Sequence, residues 1–206
     1  MRRLTAAELR GHLDAGFLVL DVREPPMYAD VHVRGALNVG LANRSAPYWL
    51  DVVAPRDRPL VVVTATSYET ALAEELLAIA GREGAGAIVF DADALRGAGV
   101  ALGSMRTVTP DELAAEPNVS VVDVSERDEY VAGHVPGAVS IPLGELVERL
   151  AEAPNGPLAL VCSSGFRSSI AASILEARGR GELANVWGGT TAWAQLGHPL
   201  ASGPRP

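Results

Sequence analysis

Cys162 is the only cysteine in the chain, and a single cysteine excludes an intrachain disulfide. On its own such a residue is a small apolar side chain suited to a core. Its neighbours point to chemistry. It stands in Leu158–Ala172, LALVCSSGFRSSIAA, where a short aliphatic run ends at the cysteine and a helical pattern covers 168–178. A sulfur there lies beyond the carboxyl end of a buried strand, the place where open α/β sheets bind ligands. Gly165 can take a positive φ that other residues resist. A tight loop of this kind can turn successive backbone N–H groups inward around the sulfur, as an anion nest. The helix N-terminus beyond Ser168 adds partial positive charge, and Arg167 adds more. All of these favour the thiolate, the form that attacks. The expected arrangement is therefore a nucleophilic Cys162 in a binding loop made of Ser163, Ser164, Gly165, Phe166, Arg167 and Ser168. The plainer alternative is a cysteine that caps a core strand above an ordinary Ser-Gly-Arg turn.

An internal repeat shows which elements must hold this loop. Leu4-Thr5-Ala6-Ala7-Glu8-Leu9 returns as Val108-Thr109-Pro110-Asp111-Glu112-Leu113, each with a Thr three residues before a Glu, the capping-box spacing of a helix start. Phe17–Val22 returns as Val119–Val124, a β-branched and aliphatic run suited to a buried strand. Asp21, Glu24, Tyr28, His32, Gly35 and Ala36 recur at one offset as Asp123, Glu126, Tyr130, His134, Gly137 and Ala138. Leu60–Thr64 parallels Leu158–Cys162, helical patterns follow over 68–80 and 168–178, and third strands are expected at Ala87–Phe90 and Leu183–Val186. Strands alternating with helices of this length predict βαβ units. The fold class expected is α/β: two tandem domains, residues 1–101 and 102–206, each a mainly parallel sheet covered by helices on both faces. A glycine-containing stretch of weak periodicity over 97–107 marks the join.

The chain has 206 residues and a net charge of -8, and all 17 of its basic residues are arginine. That balance argues against nucleic-acid binding, which needs clustered cations. No stretch approaches the roughly 18 apolar residues of a membrane span. Met1-Arg2-Arg3 is followed by charges spread over 4–14 rather than by an apolar leader core. A cytoplasmic protein with no membrane partner is the expectation.

Cys162-x-x-Gly165-x-Arg167-Ser168 resembles the active-site loop of the rhodanese family of sulfurtransferases, and the resemblance extends over nearly the whole chain, twice. Asp123-Val124-Ser125-Glu126 with Tyr130, then Gly133-His134-Val135-Pro136-Gly137-Ala138 and Ile141-Pro142, is similar to that family's upstream signature. Trp187-Gly188-Gly189 with Ala192-Trp193 and Gly197-His198-Pro199 resembles its closing motif. The resemblance implies a Cys162 persulfide, charged by a donor such as thiosulfate and discharged to cyanide, a thiol or a protein. It implies no metal and no organic cofactor. Asp123 and Glu126 are expected to support the loop, with Glu126 as the ion-pair partner of Arg167. His134 is expected to be structural, since it recurs as His32 in the other half. One departure stands out: the family's signature commonly carries Arg after Asp-Val, where this chain has Ser125 in the second half and Arg23 in the first. That loss of a cation favours a protein-bound persulfide as donor.

The first half reads Thr64-Ala65-Thr66-Ser67-Tyr68-Glu69-Thr70 at the loop. Thr replaces the cysteine, Ser the glycine and Glu the arginine, so this half is expected to be inactive, with Glu69 facing Glu24. Two rival functions remain. A persulfide carrier or protein-interaction module needs the same nucleophile without small-donor turnover. A Cys-dependent phosphatase would use five residues between Cys and Arg to surround a tetrahedral phosphate, whereas four stand here.

Overall fold

The computed structural model describes residues 1–204 and divides into two compact units, Met1–Ser104 and Met105–Pro206. In the first unit α1 (Ala6–Asp14), β1 (Leu18–Asp21), α2 (Pro25–Asp30), β2 (His32–Val33), β3 (Leu37–Asn38) and α3 (Ala46–Val53) are followed by β4 (Leu60–Thr64), α4 (Ser67–Ile79), β5 (Gly84–Val89), α5 (Ala92–Gly97) and β6 (Leu102–Gly103). The second runs β7 (Arg106–Val108), α6 (Pro110–Ala114), β8 (Ser120–Asp123), α7 (Arg127–Ala132), β9 (Val139–Ser140), β10 (Leu158–Val161), α8 (Phe166–Ala177), β11 (Leu183–Val186) and α9 (Gly189–Gln195). The sheets are ordered β3-β1-β4-β5 and β7-β11-β10-β8-β9, with every pairing parallel. Helices flank both. The units divide after Ser104 rather than at Ala101, because Leu102 and Gly103 pair antiparallel with Val33 and His32 of the first unit.

The central strands are apolar runs buried along their length, as parallel strands covered on both faces must be. Leu60–Val63 and Leu158–Val161 are all at most 1% exposed. Burying four such aliphatic side chains contributes roughly 1.5–3 kcal/mol each for the larger ones. Both capping boxes form: Thr5 with Glu8 opens α1, and Thr109 with Glu112 opens α6. The repeated Tyr and His pairs are structural, as expected. Tyr130 Oη donates to Ala138 O at 2.8 Å, His134 Nδ1 meets Tyr130 O at 2.7 Å, and the two rings stack at 3.7 Å. Tyr28 and His32 do the same in the first unit. Among the described residues no helix is long and apolar enough to cross a membrane.

The helix after Cys162 starts at Phe166, two residues before the expected Ser168. Gly165 is the cause. At φ +103° it reverses the chain in one residue, so α8 begins directly after it.

Candidate active site

β10 delivers Cys162 to the carboxyl edge of the second sheet, and β8, its parallel neighbour, ends beside it at Asp123. The thiol is fully buried and free. Gly165 N–H donates to Cys162 Sγ at 3.1 Å, so one of the amides expected to face the sulfur reaches it. Ser168 Oγ lies 3.5 Å from the sulfur. The 12-residue helix α8 points its N-terminus at the same place, where its unpaired N–H groups favour negative charge.

The loop is held from behind by the start of α9. Gly188 N donates to Ser164 O at 3.1 Å, Thr190 N to Cys162 O at 2.9 Å and Thr191 N to Ser163 O at 3.1 Å. Orphan N–H donors of a helix start thus bind three successive loop carbonyls. Such close approach requires Gly189, whose φ is +56° and where a Cβ would stand 2.0 Å from Cys162 O. Gly165 is equally confined, since a Cβ there would meet the Trp187 ring at 2.8 Å. Phe166 packs edge-on against that ring at 5.5 Å. Ser163 is half-buried and Ser164 exposed, at the outer turn of the loop.

Arg167 braces the loop. Its Nη2 donates to Glu129 Oε1 at 2.7 Å and to Ser163 Oγ at 3.0 Å, while Nη1 bonds the other oxygen of Glu129. The partner is therefore Glu129 and not the expected Glu126. Glu126 caps the start of α7 and gives its backbone N–H to Glu129 Oε2 at 3.0 Å. Glu129, one turn further along α7, is the carboxylate whose reach fits. The Arg167 guanidinium, through its hydrogen bonds, holds the Glu129 carboxyl below the usual carboxylate range. Loss of a two-pronged, charge-assisted contact weakens a site by about 1.5–3 kcal/mol. Arg167→Ala is accordingly expected to lower kcat/KM of any reaction that depends on Cys162 by about 10-fold or more, with Arg167→Lys recovering little because an ammonium cannot make the fork. Glu129→Gln should move activity the same way and Glu126→Gln should leave it near wild type. Steady-state assays of the four variants check this, and full activity in Arg167→Ala would refute the bracing role.

Asp123 behaves differently from its counterpart Asp21. In the first unit Arg23 binds Asp21 with both prongs, Nε to Oδ1 at 2.9 Å and Nη2 to Oδ2 at 2.7 Å, with both residues buried. In the second, Ser125 stands in the arginine's place. Asp123 Oδ1 accepts from Ser125 N at 2.9 Å, and Oδ2 is buried with no hydrogen-bond partner. Burial pushes the Asp123 carboxyl up. Arg127 does not replace the missing cation, because it pairs with Glu145 at 2.8 Å on the surface.

The first unit's loop is closed on itself. Glu69 Oε2 accepts from Ala65 N at 2.7 Å, and Thr64 Oγ1 lies 3.5 Å from Thr70 Oγ1 where the second unit has its sulfur and Ser168. Glu69 and Glu24 do not oppose each other as expected, since Glu24 is turned to Ala42 N at 3.1 Å. The loop has a carboxylate of its own on the amide next to the strand end. Among the described residues no group of three or more His, Cys, Asp or Glu could hold a metal ion.

Two parallel α/β units, one with a cysteine cradled between a strand end and a helix N-terminus, make up a duplicated α/β fold. The model of the Rhodanese-like domain matches residues 5–92 and 109–196, and the chain belongs to that family. Similar curated proteins include a sulfurtransferase of Allochromatium vinosum, 33% identical over 91 residues that cover 44% of this chain and 85% of the relative. The thiosulfate sulfurtransferase GlpE of Pseudoalteromonas translucida is 31% identical over 40% of this chain and 79% of its own length. The putative sulfur carrier protein YrkF of Bacillus subtilis is 36% identical over 38% of this chain, which spans 43% of that protein. Among solved structures, a rhodanese-like domain protein of Staphylococcus aureus is 32% identical with a TM-score of 0.44, covering 48% of this chain and all of that one.

Proposed function

We propose that the second unit is a sulfurtransferase that carries sulfane sulfur on Cys162. The Cys162 thiolate attacks the outer sulfur of thiosulfate. A new S–S bond forms, the bond between the two donor sulfurs breaks, and sulfite leaves with the bonding pair. The persulfide anion then gives its terminal sulfur to a nucleophilic acceptor, cyanide or a thiol, and Cys162 departs as thiolate. No electrons are gained or lost overall, which suits a single activated nucleophile.

The observation that carries this reading is the Gly165 N–H, 3.1 Å from Sγ in a loop of fixed shape. A preset donor aimed where negative charge accumulates works as an oxyanion hole does. The loop is small, four residues between Cys162 and Arg167, and suits one sulfur atom better than a tetrahedral phosphate. Arg167 is spent on Glu129 and Ser163, which supports a bracing role over donor binding.

A persulfide carrier fed by another protein is the second reading. It is favoured by the buried, unpartnered oxygen of Asp123 beside the cysteine strand, where the first unit has Arg23. A site without that cation has less to hold a sulfonate dianion. The natural donor is then a protein persulfide and the natural acceptor a thiol or protein. Thiocyanate formation from thiosulfate and cyanide decides between them: turnover that is lost in Cys162→Ser supports the enzyme. Persulfide loading without turnover supports the carrier. Cys162-dependent hydrolysis of an aryl phosphate, in place of either, would overturn both.

A further inference from the structure

Asn185 is the single polar residue of β11 and is fully buried. Its Nδ2 donates to Gly165 O at 3.1 Å, and its Oδ1 accepts from Ser168 Oγ at 2.7 Å. The amide cannot be turned over, because Oδ1 would then face the Gly165 carbonyl, acceptor against acceptor. Oδ1 therefore faces Ser168, itself fully buried, and takes the one proton a serine hydroxyl has to give. What Ser168 offers Cys162 Sγ, across 3.5 Å, is a lone pair. The sulfur is thus met by one donor, Gly165 N–H, and by one oxygen that can accept from a thiol but opposes an anion. In the unit that lacks the cysteine this amide is absent too: Leu160 pairs with Asn185, and the matching residue Val62 pairs with Ala87.

Resting on the reading of Cys162 as the nucleophile, we infer that Asn185 is a positioning residue that holds the Ser168 hydroxyl proton away from the sulfur, so that an anionic sulfur, thiolate or persulfide, gains its second donor only when that proton turns from Asn185 to Sγ. Asn185 thereby restrains the resting thiol and keeps a donor in reserve for the charged states. Its bond to Gly165 O also fixes the peptide that follows the first donor.

The ultraviolet absorbance of the thiolate, each variant minus its Cys162→Ser counterpart, tests this at a pH where the wild type is mostly thiol. Asn185→Ala frees the Ser168 proton and is expected to raise the absorbance about 10-fold or more, the worth of one hydrogen bond to a charged group. In a Ser168→Ala background the same change should alter it by less than about 2-fold, because the coupled partner is gone. A fall or no change in Asn185→Ala, or an equal rise without Ser168, overturns the inference. Should Asn185→Ala fail to fold, Asn185→Val, which likewise removes the acceptor from Ser168 and suits a buried strand, decides: the same rise is expected, and a fall or no change overturns the inference. The absorbance reads the proton on Cys162 and not sulfur transfer, so it can fail while the persulfide reading stands, and the reverse.

Discussion

Gly189→Ala is expected to destabilise the second unit by about 3 kcal/mol or more and to abolish sulfur loading. The added Cβ would stand 2.0 Å from Cys162 O and 2.6 Å from the carbonyl carbon of Ser163, both rigid backbone. A left-handed φ of +56° adds strain for any side chain. Backbone strain of this kind costs about 1–3 kcal/mol and overpacking about 1–3 kcal/mol more. Relief requires α9 to withdraw, and withdrawal releases the three loop carbonyls that Gly188, Thr190 and Thr191 hold. The loop then loses the shape that aims Gly165 N–H at the sulfur. Hydrogen exchange over β10 and β11, with persulfide formation measured on the same sample, checks both halves of the expectation. A Gly189→Ala protein with normal protection and normal loading would show that the α9 start is not what shapes the site. The neighbouring turn glycine Gly197, with open space around its Cβ position, serves as a control for φ alone.

The duplicated aspartates should respond very unequally to one substitution. Asp21→Asn is expected to cost the first unit about 3–5 kcal/mol, because it leaves the buried Arg23 guanidinium without its counter-charge. Asp123→Asn should cost the second unit no more than about 1 kcal/mol at neutral pH, because Ser125 N–H keeps its acceptor and no ion pair is lost. The pH dependence is a separate matter, because burial raises the Asp21 carboxyl as well. Burial raises the Asp123 carboxyl above its unfolded value. Its contribution to stability is therefore complete below the ordinary carboxylate range and is lost as pH rises through the raised, folded-state value. Asp123→Asn removes that loss. Exchange protection read separately over β1–β4 and over β8–β10, at several pH values, distinguishes the two units. Equal costs for both substitutions, or an unchanged pH profile in Asp123→Asn, would contradict the assignment.

Much of this was legible in sequence because it depends on local pattern. Leu60–Thr64 and Leu183–Val186 form strands at the residues their apolar runs mark. Both Thr-x-x-Glu signals cap helices, and the repetition of Tyr and His announced a structural pair rather than a base. The loop around Cys162 was legible for the same reason, since Gly165, Arg167 and the helix start lie within a few residues of the sulfur. What escaped depends on three-dimensional reach. Glu126 and Glu129 are both acidic and close in sequence; only the starting point of α7 decides which carboxylate meets Arg167. Asn185 lies far along the chain from Ser168, and its sole signal was a polar residue inside an otherwise apolar strand. The three donors at the start of α9 are backbone groups and leave no side-chain signature beyond the adjacent glycines Gly188 and Gly189. Leu102 and Gly103 joined the first unit through a two-residue antiparallel pairing too short to show periodicity.

The most direct test of the central claim is the intact mass of the reduced protein before and after thiosulfate, with Cys162→Ser alongside. The account predicts a gain of one sulfur atom in the wild type alone, removed by cyanide or a thiol. No gain in the wild type with thiosulfate or with a protein persulfide donor, or an equal gain in Cys162→Ser, would contradict it.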